Sequence, residues 1–386
     1  MSDPGIQRPV IASRAAQTSG SGPMRPKIGA LNDLAVAGLL PMFDVTSQLF
    51  CDRMELGRSG LVRKGLSRRY TITALLGLHR AKAAGLNSPV DVKAVLDGLL
   101  QNTNWIGNLG DLGLLLWLCA LDRPEALEEI CSRLDIQGAL TRFPEGREGS
   151  TSELAWFLSG LAHAALALSP NRPKLTDLAV KTYESLSNNQ GDHGIFGHLA
   201  VKKTLAGVLR GRIGSFADQV YPIYALTRFA QAYEVDAALQ VARKCAEAIC
   251  KVQGPLGQWW WHYDASTGRV LRKYPVYSVH QDGMAPMALL ALSEATGVDY
   301  TEPIDKGLAW ITGNNELGGD LRDASSGVIW RSIYCPPSWK KYRDDVRELL
   351  RSGETDTSGG DLKILFECRP YHLGWLLYAF AGRDRQ

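Results

Sequence analysis

Residues 108–121 read NLGDLGLLLWLCAL, and residues 151–168 read TSELAWFLSGLAHAALAL. Each segment opens on polar residues suited to a helix start and continues with almost no polar face. A helix that is apolar nearly all round must be buried on all sides. The same pattern returns at 67–83, 216–232, 279–294 and 367–381, the last reading ECRPYHLGWLLYAFA. Between these runs lie amphipathic segments at 89–101, 124–134, 174–187, 235–252 and 302–311, with a further one at 32–52 broken at Pro41. VDAALQVARKCAEAIC, at 235–250, carries one apolar stripe and one charged face, the pattern of a surface helix.

The alternation of amphipathic and buried helices repeats at about 60 residues per pair, a period typical of helical-hairpin arrays. Six buried helices inside six amphipathic ones predict an all-α fold, an (α/α)6 toroid. The 386 residues are then one domain, from 28 to 386, and not the two or three that length alone suggests. Residues 1–27, rich in Ser, Gly, Pro and Arg, predict a disordered tail without the apolar core of a secretory leader. In a toroid the inner helices run in one direction. Their N-termini, with unsatisfied N–H groups and partial positive charge, then share one mouth. The aromatic stretch QWWWHYD at 258–264, followed by a turn ending in Gly268, predicts a small β-hairpin inserted at that mouth.

Composition narrows the function. Hydrophobic residues make up 45% and charged residues 22%, and the net charge is +3. That balance argues against nucleic acid as a partner. No run approaches the roughly 18 apolar residues of a membrane span. The seven cysteines, at 51, 119, 131, 245, 250, 335 and 368, are odd in number, scattered and without a CxxC. They predict neither a disulfide framework nor a metal site, and a reducing, cytoplasmic setting. No cofactor motif is present; no GxxxxGK occurs.

The pattern resembles the six-hairpin α/α toroid of many glycosidases, polysaccharide lyases and sugar epimerases. Gln253-Gly254-Pro255-Leu256-Gly257-Gln258-Trp259 is also similar to the QxxxGxW repeat of squalene–hopene-type cyclases, in a single copy and without the DxDD acid motif. The first resemblance implies a glycoside hydrolase acting on a small or oligomeric, possibly anionic, saccharide, with lyase or epimerase chemistry as variants. The second implies a terpenoid cyclase-like isoprenoid enzyme. A non-catalytic glycan-binding toroid is the third reading.

Glycosidic hydrolysis needs a carboxylic acid for the leaving oxygen and a carboxylate to activate water. Asp218, Asp282 and Glu367, at inner-helix starts, are the candidates, with His280 as a further acid/base group. The alternative for each acid is a first-turn cap complementing the helix dipole. Arg69, Tyr70, Glu153, Trp156, Tyr221, Trp259, Trp261, Tyr277, Arg369, Tyr371 and His372 are candidate substrate-binding residues: arginines for an anionic group, aromatics for stacking or hydroxyl contacts. For the aromatics the alternative is packing in the barrel wall. If Trp259–Trp261 lie on a strand they alternate sides, and at most two face the cavity.

Overall fold

The computed structural model describes residues 27–136, 138, 150–168, 173–199, 211–336 and 362–383. The expected tail lies outside them but for Lys27. Among the described residues twelve α-helices follow one another: α1 (Ile28–Leu39), α2 (Arg68–Ala83), α3 (Val92–Gln101), α4 (Leu109–Asp122), α5 (Leu127–Arg133), α6 (Thr151–Ala167), α7 (Pro173–Ser187), α8 (Ala217–Tyr233), α9 (Asp236–Lys251), α10 (Ala285–Thr296), α11 (Thr301–Ile311) and α12 (Pro370–Phe380). The even-numbered helices are the apolar ones. In α4 every residue from Leu109 to Ala120 is buried. In α9 the buried residues are Ala238, Ala242, Cys245, Ala246 and Ile249, a stripe at helical spacing.

The even helices touch in a closed cycle: α2 on α4, α4 on α6, α6 on α8, α8 on α10, α10 on α12, and α12 back on α2. Each odd helix lies against an even one, α1 against α12 and the others against a sequence neighbour. Two seams of the cycle are backbone to backbone. A Cβ on Gly77 would stand 2.3 Å from the Gly374 carbonyl oxygen, and one on Gly160 would stand 2.4 Å from that of Gly113. No other residue fits there without moving a helix.

The inner helices start where side chains cap them. Ser67, Asn108 and Ser150 accept hydrogen bonds from the amides of Tyr70, Asp111 and Glu153, and the Ser215 hydroxyl does so from Asp218. These are N-caps that satisfy donors the helix leaves open.

The β content exceeds the single expected hairpin. Five sheets of two or three strands occur among the described residues, so the fold is mostly helical with small sheets. The expected hairpin forms from His262–Asp264 and Val270–Arg272, joined by Ile213–Ser215. It begins at His262, so the three tryptophans precede the strand and the alternation argument fails for them. Val276–Tyr277 pairs with Ser332–Tyr334, which pairs with Lys363–Leu365. Glu367–Cys368 pairs with Arg53–Gly57, so the sixth inner helix starts at Pro370 and not at Glu367. The amphipathic run at 32–52 is helical only to Leu39 before a 3-10 turn at Leu40–Met42; the proline cannot continue the helix. Strands ending at Ser215, Tyr277 and Cys368 each lead into an inner helix, which sets these sheets around the inner-helix starts.

Candidate active site

Side chains from the first turns of neighbouring inner helices meet one another, which puts those N-termini at one end of the ring. Arg69 Nε of α2 donates to Asp111 Oδ1 of α4 at 2.6 Å. Ser152 of α6 donates to Asp218 of α8 at 2.7 Å. His372 Nε2 of α12 lies 2.7 Å from Asp282 Oδ1, just ahead of α10. The Tyr371 ring of α12 lies 4.8 Å from the Tyr70 ring of α2.

One arc is cationic and aromatic. Glu367 accepts from Arg331 Nη1 at 2.6 Å and from Arg369 Nε at 2.5 Å. Burial pushes the Glu367 carboxyl above its ordinary value, opposed by Arg331 and Arg53. Arg369 also donates to the Tyr70 hydroxyl at 2.9 Å, and the Arg331 guanidinium stands 5.1 Å from the Tyr277 ring centre, a cation–π distance. Tyr70, Tyr277, Arg331, Arg369 and Tyr371 are all half-buried.

A second arc starts at Asp111, which the sequence reading left out of its site residues. Its carboxylate takes Arg69 on one oxygen and Asn108 Nδ2 on the other, at 3.0 Å. The Arg69 guanidinium stands 5.4 Å from the Trp156 ring, and Trp156 meets Tyr221 edge to face at 4.9 Å. The Tyr221 hydroxyl accepts from Trp375 Nε1 at 3.1 Å, and Tyr221 itself is buried. Glu153 is half-buried in the first turn of α6.

Asp218, expected as a catalytic acid, is held by a dense set of donors at the start of α8. It is fully buried, and four donors saturate its carboxylate: the Ser152 hydroxyl, the Ser215 amide and hydroxyl, and His198 Nδ1 at 2.9 Å. This is a capping and anchoring role. The signal was legible, because Ser215-x-x-Asp218 is a capping-box spacing.

His280 departs from expectation. It opens a one-turn π-helix, His280–Met284, that precedes α10. Its ring packs 4.6 Å from Phe216, 5.1 Å from Tyr277 and 6.1 Å from Trp261. Burial drives its pKa down to about 3, so it is a neutral wall residue and a poor proton shuttle near neutral pH. Trp259 is fully buried, stacked 5.4 Å from Phe216, and is core instead of a sugar platform. Trp261 is half-buried and lies 5.0 Å from Tyr277, at the edge of the cationic arc.

Asp282 is fully buried as well, but with different partners. Oδ1 holds His372, while Oδ2 is buried without a hydrogen-bond partner. Burial raises its pKa, opposed by His372. A buried carboxylate that holds one imidazole nitrogen fixes the ring and its tautomer and leaves the other nitrogen for proton transfer. The structure therefore joins Asp282 to His372, while Asp218 is joined to Ser152, Ser215 and His198. Among the described residues no group of three or more His, Cys, Asp or Glu gathers as a metal site. No described helix is long and apolar enough to cross a membrane.

No family model matches the chain, and no curated protein matches it. Solved structures do. A sugar epimerase from a ruminal bacterium superposes with a TM-score of 0.62 at 10% identity, covering 92% of this chain and 98% of that one. A possible member of the GH105 family from Klebsiella pneumoniae gives 0.60 at 12% identity, covering 99% of both chains. An unsaturated glucuronyl hydrolase from Bacillus sp. GL1, responsible for the degradation of glycosaminoglycan, gives 0.57 at 13% identity, covering 94% of this chain and 97% of that one. At such identities the likeness is one of fold.

Proposed function

We propose that this chain is a carbohydrate-active enzyme on an (α/α)6 toroid of six helical hairpins, and that it hydrolyses glycosidic bonds. On this reading residues 28–386 are one domain and the site is the shared mouth of the inner helices. The observation that carries it is the Asp282–His372 pair at 2.7 Å, set beside a ring of tyrosines and arginines at those helix starts. Solved structures of the same fold include glycoside hydrolases and a sugar epimerase.

In this mechanism His372, held by Asp282, exchanges the proton at the leaving oxygen. Asp111, held by Arg69 and Asn108, activates water. Glu367 organises Arg331 and Arg369, which face the polar or acidic groups of the sugar, while Trp261, Trp156, Tyr277 and Tyr371 offer ring faces and hydroxyls. Asp218 anchors the start of α8.

The His–Asp pair also favours a second reading, epimerisation, in which His372 moves a proton at a sugar carbon. One experiment separates the two. The chain is incubated with a panel of oligosaccharides in deuterated water, and products are followed by NMR. Hydrolysis releases a new reducing end without carbon-bound deuterium. Epimerisation leaves the linkage whole and places deuterium on the sugar. Neither product, across neutral and acidic oligosaccharides, overturns both readings.

A further inference from the structure

On the outer side of the tryptophan-rich segment lies a groove of about 470 Å³, within the size range of small-ligand sites. The end of α9, the turn after it and the hairpin 262–272 build it. Its lining includes Lys251, Arg269, Lys273 and His193 and no aspartate or glutamate. Lys251, Arg269 and Lys273 are exposed, and none forms an ion pair among the described residues. Three unpaired cations around one concavity raise the local concentration of anions.

The wall of the groove is Trp260, buried and tied through Nε1 to the Val252 carbonyl at 3.0 Å. Lys273 Nζ stands 5.7 Å from its ring centre. The hairpin turn closes tightly over His193: Gly268 has φ +71°, and a Cβ there would come within 2.9 Å of the His193 Cβ. The groove is thus held in shape by the fold, and its cations are arranged around a fixed aromatic wall.

We propose that this groove is a second binding site, for an acidic saccharide whose carboxylate or sulfate groups pair with Lys251, Arg269 and Lys273. The anion-binding part stands on the groove alone; the saccharide part rests on the function proposed above. Trp260 bounds the groove and Trp261, the next residue, packs towards Tyr277. The same segment therefore serves both sites, and the groove takes a part of an acidic chain remote from the reacting bond.

The test is calorimetric titration of the full chain at constant ionic strength with three probes: digalacturonic acid, neutral galactobiose and sodium sulfate. The K251A/R269A/K273A variant is expected to bind digalacturonic acid about tenfold more weakly than the natural chain. A K251R/K273R variant, which keeps the charge, retains binding and controls for folding. Equal affinity in the triple-alanine variant overturns the site. Sulfate binding as tightly as digalacturonic acid overturns the saccharide part. A chain that binds digalacturonic acid in the groove but turns over no oligosaccharide loses the catalytic reading and keeps the groove.

Discussion

Asp218 and Asp282 occupy equivalent places: each stands at the start of an apolar inner helix, and each is fully buried. Their partners make them opposites. Asp218 is surrounded by hydroxyl, amide and imidazole donors that fill both oxygens. Asp282 has one imidazole partner and one bare oxygen. A saturated carboxylate is a fastener, because every proton it meets belongs to a neighbour in the fold. An unsaturated one at the same depth is kept at a cost, and such costs concentrate at functional sites. The difference lies entirely in what the rest of the chain brings to each helix start.

The largest test of this contrast is Asp282→Asn. Turnover of whichever oligosaccharide proves to be the substrate is expected to fall about a thousandfold, with little change in melting temperature. Asp218→Asn, measured in parallel, is expected to keep most of its turnover; an equal loss in both erases the distinction.

Next in size is stability. Asp218→Ala strands four donors and is expected to cost about 3 kcal/mol, read by urea denaturation. Removing a single donor sharpens the point: Ser215→Ala, which takes away one cap, is expected to cost about 1 kcal/mol. If Ser215→Ala is neutral, the carboxylate at Asp218 is not held by that cap.

The smallest effect concerns pH and the neighbour of Asp282. His280 has its pKa lowered from 6.5 to about 3 by burial. Between those values the unfolded chain binds a proton that the native chain does not. Its contribution to stability is present above pH 6.5 and is lost as pH falls towards 3. The acid limb of stability against pH is therefore expected to be shallower in His280→Gln than in the natural chain. Identical limbs place His280 in a more hydrated setting than its packing implies.

The hairpin repeat was legible because all-round apolarity has one physical solution, burial between helices. The starts of α4, α6 and α8 were legible too, as Asn108-x-x-Asp111, Ser150-x-x-Glu153 and Ser215-x-x-Asp218. All three spacings mark caps in the structure. The Asp282–His372 pair was out of reach, since it spans 90 positions and exists only because the ring closes. Trp259 was misplaced for a local reason. The strand begins three residues later than the aromatic run suggests, so the parity of a strand never applied to it.

The glycine seams between α2 and α12 and between α4 and α6 carry a mechanical consequence. At these two seams the helices meet at backbone contact, with no slack for either pair to close further. Any gating of the mouth then belongs to the rim, where the short strands run into the inner helices. Changes in access should appear as motion of those strands, with α2 and α12, and α4 and α6, keeping their spacing.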